Sequence, residues 1–171
     1  MNRKVIIGIG ALLALCCICS IVTIGVLVWI GSSDSLSGVP ARCASVPTGS
    51  PDALLTDPLS GFARIKIESA APAGYQAFYK GNDGTIRVSV MNLGSPSNAK
   101  SQVKTMRDFI SVLKPPTFSE KIGVAACDEF KYDGVSGEDR AGMIWNNGAW
   151  LFIVGAKSAA DRDAILKALP Y

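Results

Sequence analysis

The chain contains no histidine among its 171 residues. Histidine is the usual general base at neutral pH, the usual activator of a serine or cysteine nucleophile and a frequent metal ligand. Its absence therefore excludes Ser-His-Asp and Cys-His nucleophile systems and all histidine-ligated metal sites. A serine–lysine arrangement stays open, because it has no recognisable spacing. We expect a protein that is not an enzyme, with no catalytic residue, no metal site and no cofactor.

Phosphate-binding loops and haem attachment sequences are also missing. The chain has neither a Gly-x-x-x-x-Gly-Lys loop nor a Cys-x-x-Cys-His sequence. Its densest carboxylate group comprises Asp128, Glu129, Asp133, Glu138 and Asp139. Carboxylate oxygens can hold calcium, but this spacing matches no EF-hand loop. We interpret the group as a solvated acidic loop.

Residues 5–30 contain no charged side chain and are almost entirely apolar. About 20 apolar residues span a bilayer core as a helix, so the run predicts a transmembrane helix after a cytoplasmic flank of residues 1–4. Arg3 and Lys4 precede the run, and the next basic residue is Arg42, which favours a cytoplasmic N-terminus. We expect an uncleaved signal-anchor in the cell membrane, with an extracytoplasmic (periplasmic or extracellular) C-terminal domain. The alternative is a cleaved signal peptide, whose apolar region is normally about 7–15 residues long.

Small residues gather on one side of this predicted helix. They are Gly10, Ala14, Cys17 and Gly25. Gly10 and Ala14 form a small-xxx-small pair, which allows another transmembrane helix to approach closely. Such residues are common in membrane helices anyway, so the helix-docking face is a hypothesis.

The five cysteines divide between the apolar run and the rest of the chain. Three lie in the run, where a thiol behaves as a small apolar group. Cys43 and Cys127 lie outside it, and an oxidising compartment favours a disulfide between them. The alternative is one buried and one exposed thiol.

The remaining chain divides into a linker and one domain. Residues 31–60 are rich in glycine, serine and proline, which is typical of a linker. Residues 61–171 are enough for a single core. Alternating residues 63–68 predict a half-exposed edge strand. The segments 81–84 and 147–148 carry Gly/Asn/Asp turn sequences typical of β-hairpins.

Each predicted hairpin is followed by a serine-capped helix, beginning after Ser95 and Ser158. Five successive apolar residues from Trp150 predict a strand covered on both faces. We therefore predict an α+β fold, a mostly antiparallel sheet with two packed helices. The repeated hairpin–helix order suggests a possible internal duplication.

The charges outside the apolar run are nearly balanced. Of 17 basic residues two lie in the N-terminal flank, so 15 remain against 14 acidic residues. Without clustered basic residues, nucleic acid is a poor partner. We predict a non-catalytic, membrane-anchored accessory subunit or interaction module that docks on other membrane protein subunits. The alternative is an extracytoplasmic binding domain for a lipid or another small hydrophobic ligand.

Overall fold

The computed structural model describes residues 41–43, 45–123 and 127–169. These residues belong to one compact unit, Val39–Tyr171. They form an antiparallel sheet of seven strands with two α-helices packed against it. This arrangement confirms the α+β class and the antiparallel sheet predicted from the sequence.

The elements follow one another along the chain with short connections. They are a 3-10 helix at Ala41–Cys43, β1 Arg64–Ala70, β2 Gly74–Lys80, β3 Thr85–Asn92, α1 Pro96–Val112, β4 Thr117–Lys121, β5 Glu129–Asp133, β6 Ala141–Asn147, β7 Trp150–Ala156 and α2 Ala159–Ala168. The strand order in the sheet is β1-β2-β3-β7-β6-β5-β4. The edge position predicted for the first strand is therefore confirmed.

The sheet separates two apolar cores, one under each helix. Strand β7 is buried along its whole length because its side chains alternate between them. Trp150, Phe152 and Val154 join the core under α2, whereas Leu151 and Ile153 join the core under α1. The prediction of a strand covered on both faces is confirmed.

The positions of the helices argue against an internal duplication. Strands β3 and β7 are antiparallel neighbours, and each is followed by a helix. A two-fold rotation that exchanged these strands would place both helices on one face of the sheet. The helices contribute to separate cores on opposite faces, so the repeated order does not produce a symmetric structure.

Both helices begin at the serines identified in the sequence. Ser95 accepts a hydrogen bond from the Asn98 amide at 3.2 Å, and Pro96 occupies the first turn, where its missing N–H costs nothing. Ser158 accepts from the Asp161 amide at 3.2 Å. These caps satisfy backbone donors that have no partner inside the helix.

Helix α2 is attached to the sheet by two buried charged side chains. The carboxylate of Asp161 accepts hydrogen bonds from the amides of Asn82 and Asp83, at 3.0 and 2.8 Å, and so fixes the β2–β3 turn. The guanidinium of Arg162 is 1% exposed, donates to the Tyr132 carbonyl at 2.9 Å and pairs with Asp133. The same helix therefore holds one end of β2–β3 and one end of β5.

The segment before β1 packs on the domain more closely than a linker would. Cys43 and Cys127 form a disulfide with Cα atoms 6.1 Å apart, across a sequence separation of 84. Leu55 is fully buried and Leu59 is 4% exposed, and both belong to the core under α2. The linker was predicted to extend to residue 60. The buried side chains of Leu55 and Leu59 instead make the segment before β1 part of the domain core.

The prediction of a single-pass, signal-anchored membrane protein needs correction. Among the described residues, no helix is both long and apolar enough to cross a membrane. The run 5–30 lies outside the described residues, and so does the proposed helix-docking face, Gly10, Ala14, Cys17 and Gly25. The transmembrane assignment is therefore withdrawn.

Replacing Arg162 with methionine should destabilise the domain by about 3 kcal/mol, the low end for breaking a buried ion pair. The loss follows because Asp133 and the Tyr132 carbonyl would lose their donor, although the Asp133 side chain keeps 25% exposure. Urea unfolding followed by circular dichroism measures this change. The exposed Lys167 on the same helix gives the control variant, Lys167→Met. Equal stabilities of the two variants would contradict the anchoring role of Arg162.

Candidate functional site

The candidate site is a groove on the α1 face of the sheet. Helix α1 packs over β5, β6 and β7, and an open space of about 500 Å3 remains between the helix and strands β1–β3. The helix wall consists of Met106, Phe109 and Ile110, the floor of Met91, Ile144 and Ile153, and the polar side of Gln76, Arg87 and Ser89. The groove is therefore apolar at its base and along the helix, and polar toward the sheet edge.

Strand β3 supplies the polar side because of its alternation. Ile86, Val88 and Val90 face the core under α2, so Arg87, Ser89 and Met91 face the groove. Ser89 is one of the few buried polar residues of the domain. The strand alternation thus places a charged and a hydroxyl side chain beside an apolar floor.

Three large apolar side chains stand exposed where α1 ends. Phe109, Val112 and Leu113 are 67%, 76% and 50% exposed, and we call them the apolar patch. Their spacing of three and four residues places them on one side of the helix, beside the groove wall that Phe109 itself contributes. Leu113 continues the apolar stripe of this helix in the sequence, but it is the C-cap residue and is half exposed.

A β-bulge adds a fourth exposed apolar residue on the same sheet face. The pairing of β1 with β2 shifts register between Arg64 and Lys66, and Ile65 falls at this shift. A bulge leaves one residue unpaired and turns its side chain from the regular alternation. Ile65 is 58% exposed as a result and lines a smaller cavity that shares Arg87 with the groove.

Two glycines shape the end of the groove near Arg87. Arg87, Gly155, Gly142 and Tyr132 lie side by side across β3, β7, β6 and β5. A Cβ atom on Gly142 would overlap the Tyr132 ring, and one on Gly155 would overlap the Asp139 carboxylate. The missing side chains let Tyr132 and Asp139 lie against the sheet, where Asp139 pairs with Arg87.

At this end of the groove the Tyr132 phenol is suited to hydrogen bonding and not to acting as a nucleophile. Burial raises the pKa of Tyr132 to about 12, and the nearby Asp139 charge adds to the shift. The phenol therefore remains protonated at neutral pH. Within the described part of the chain, Arg87 Nε is buried and has no hydrogen-bond acceptor.

The carboxylates that the sequence groups together are separated in the fold. Asp128 accepts from the Gly123 amide at 2.6 Å, Glu129 pairs with Arg42 and Lys121, and Asp133 and Asp139 pair with arginines. No group of three or more histidine, cysteine, aspartate or glutamate side chains among the described residues is arranged to hold a metal.

Several large aromatic side chains lie in the core and not along the groove. Trp145 is fully buried and stacks on Phe152 with ring centroids 5.0 Å apart, and Trp150 and Tyr79 are buried as well. Sequence reasoning instead missed Phe109 and Val112. The available signal was that both lie off the apolar stripe of α1, where a surface position would normally be polar.

Comparisons with known proteins give no family for this chain. No family model matches it. No curated protein matches it either. Among solved structures, a crystal structure of a GTP binding regulator from Thermotoga maritima shares 15% identity, covers 77% of this chain and 89% of its own, and gives a TM-score of 0.48. A similarity this weak supports no conclusion about function.

In a pH titration followed by absorbance at 295 nm, the Tyr132 phenol should lose its proton at a higher pH than an exposed tyrosine. Burial raises the pKa values of Tyr79 and Tyr132 to about 12, from an ordinary value of 10.0. Tyr132→Phe should remove one late-titrating group and Tyr79→Phe should remove the other.

The same shift predicts how stability changes with pH. A pKa that is higher in the folded than in the unfolded chain stabilises the fold fully below pH 10, and this contribution is lost as pH rises toward 12. Tyr132→Phe should therefore lose less stability than the parent chain between pH 9 and 11. An unchanged slope in the variant would contradict the buried, neutral phenol.

Proposed function

We propose that this protein is a non-catalytic interaction domain that docks on a partner protein through the apolar patch and the adjoining groove. The supporting observation is the exposure of three large apolar side chains at the end of α1. Contiguous exposed apolar surface beside a groove is typical of a protein–protein interaction site.

The geometry favours a protein over a small molecule as the occupant. Small ligands bury most of their surface in a concave pocket, whereas Val112 and Leu113 lie outside the groove lining. A partner that covers the patch can also place one apolar side chain over Met91 and Ile153 in the groove. Aromatic anchors seated in such pockets carry much of the binding energy of protein interfaces.

The partner we propose is an apolar protein segment that carries a hydrogen-bond acceptor. The polar side of the groove includes the Arg87 side chain, which is 37% exposed and whose buried Nε has no acceptor among the described residues. Arg87 is already neutralised by Asp139, so a neutral acceptor such as a backbone carbonyl fits better than a second carboxylate. Cys43, among the first described residues, joins the core under α2 on the opposite sheet face.

A small hydrophobic ligand is the second candidate. The groove volume of about 500 Å3 falls within the usual range of ligand sites, about 300–1,000 Å3. Its floor of methionine and isoleucine side chains suits an acyl chain or another apolar molecule.

We also propose that the domain folds in an oxidising, extracytoplasmic compartment. The support is the pairing of Cys43 with Cys127, since stable disulfides are rare in reducing compartments.

Serine substitutions in the patch should weaken partner binding. We expect the double variant Phe109→Ser, Val112→Ser of the full-length chain to retain about thirtyfold less partner than the parent, as for loss of a hot spot of about 2 kcal/mol. Quantitative mass spectrometry after mild extraction from native cells measures the retained partner. Lys104→Ser with Thr105→Ser, on the exposed side of the same helix, is the matched control.

The outcomes of this experiment separate the two candidates. A stoichiometric partner that depends on the patch and not on the control positions supports the docking function. Equal recovery of that partner with the patch variant would contradict it. Recovery of the chain alone, with an apolar small molecule retained in native mass spectrometry, would favour the second candidate.

A further inference from the structure

A second cavity lies on the other face of the sheet, between α2, the 3-10 helix and strands β4–β6. Its volume is about 530 Å3. The cations that line it are Arg42, Lys121, Lys131 and Lys167, and the carboxylates are Glu120, Glu129 and Asp163. We call this cavity the charged cleft.

The charges in the cleft do not balance. Glu120 pairs with Arg107 of α1 at 3.4 Å, outside the cleft, so its charge is compensated elsewhere. Four cations then face the two carboxylates of Glu129 and Asp163, which leaves a local charge of +2. Concave sites lined by an excess of one sign raise the local concentration of ions of the opposite sign.

Arg42 is held in place without strong hydrogen-bond acceptors. Its guanidinium carbon lies 5.7 Å from the centroid of the Trp145 ring, and Nη1 donates to the Met143 sulfur at 2.7 Å. Its Nε lies 3.7 Å from Glu129 Oε2, beyond hydrogen-bond distance. Sulfur is a weak acceptor, so this positioned guanidinium keeps donors for an oxyanion.

The lysines of the cleft differ in how closely they pair with carboxylates. Lys131 is 2.9 Å from an Asp163 oxygen that also pairs with Arg162, so this lysine is already engaged. Lys121 is 3.6 Å from Glu129 Oε1 and its side chain is 66% exposed, while Lys167 is exposed at the cleft rim. Arg42, Lys121 and Lys167 are therefore the cations available to a ligand.

We propose that the charged cleft binds a phosphate group, either inorganic phosphate or the phosphate of a small monoester. A phosphate dianion matches the local charge, and its oxygens match the donor geometry of arginine and lysine. Met143 and Leu166 also line the cleft, and these side chains can contact the apolar body of a monoester. This inference is independent of the proposed docking function, because the cleft lies on the opposite face.

Titration of the full-length chain with inorganic phosphate, followed by isothermal calorimetry, tests the proposal. The double variant Lys121→Gln, Lys167→Gln should bind phosphate at least about fivefold more weakly, as expected from the loss of about 1 kcal/mol of charge interaction. Lys104→Gln, an exposed charge removed on the α1 face, should leave the affinity unchanged. Sodium chloride at equal ionic strength should give no comparable heat.

Phenyl phosphate distinguishes the two sources of the phosphate group. Tighter binding of phenyl phosphate than of inorganic phosphate would assign the cleft to a monoester, and equal or weaker binding would assign it to the free ion. Failure of both probes to bind, or an equal loss of affinity in Lys104→Gln and the double variant, would overturn the proposal.

Discussion

The hydrogen bond and the ion pair of the buried Arg162 guanidinium attach helix α2 to the end of strand β5, and β5 contributes side chains to both faces of the sheet. From helix α2 the guanidinium holds the backbone of Tyr132 through the carbonyl oxygen and pairs with Asp133. The ring of Tyr132 lies on the other face, against Gly142, at the end of the groove. A buried arginine costs desolvation energy unless it is paired and hydrogen-bonded, and here both requirements are met where β5 ends.

The two faces of the sheet carry chemically different surfaces. On the α1 face lie the groove and the apolar patch, the surface proposed for docking. On the α2 face the disulfide and the segment before β1 pack on the core, and the charged cleft opens between α2, the 3-10 helix and strands β4–β6. The two surfaces share strands β5 and β6, where Lys131 and Met143 of the cleft point to the opposite face from Tyr132 and Ile144 of the groove.

Local sequence features predicted the two hairpins and the starts of both helices. The turn residues 81–84 and Asn147-Gly148 specify hairpins, and Ser95 and Ser158 specify helix starts, because these signals act over a few residues. Strand order, the shift at Ile65 and the burial of Leu55 depend on contacts distant in sequence, which a single sequence does not reveal.

The candidate site was harder to predict than the fold. Whether Phe109 and Val112 are core or surface depends on which strands α1 covers, and that follows from the β3–β7 pairing in the middle of the sheet. The charged cleft likewise brings Arg42 beside Lys121 and Lys167, three residues from separate parts of the chain. The carboxylates grouped in the sequence form no common site, because Glu129, Asp133 and Asp139 pair with different cations.

The most direct test of the account is site-specific photocrosslinking from position 109. A photoreactive phenylalanine analogue at Phe109 of the full-length chain should give a covalent adduct with one partner protein in native cells, because this side chain lies in the proposed interface. The same analogue at Lys167, on the opposite face, should give no adduct with that partner. An adduct of equal yield from position 167, or none from position 109, would contradict a docking surface at the end of α1.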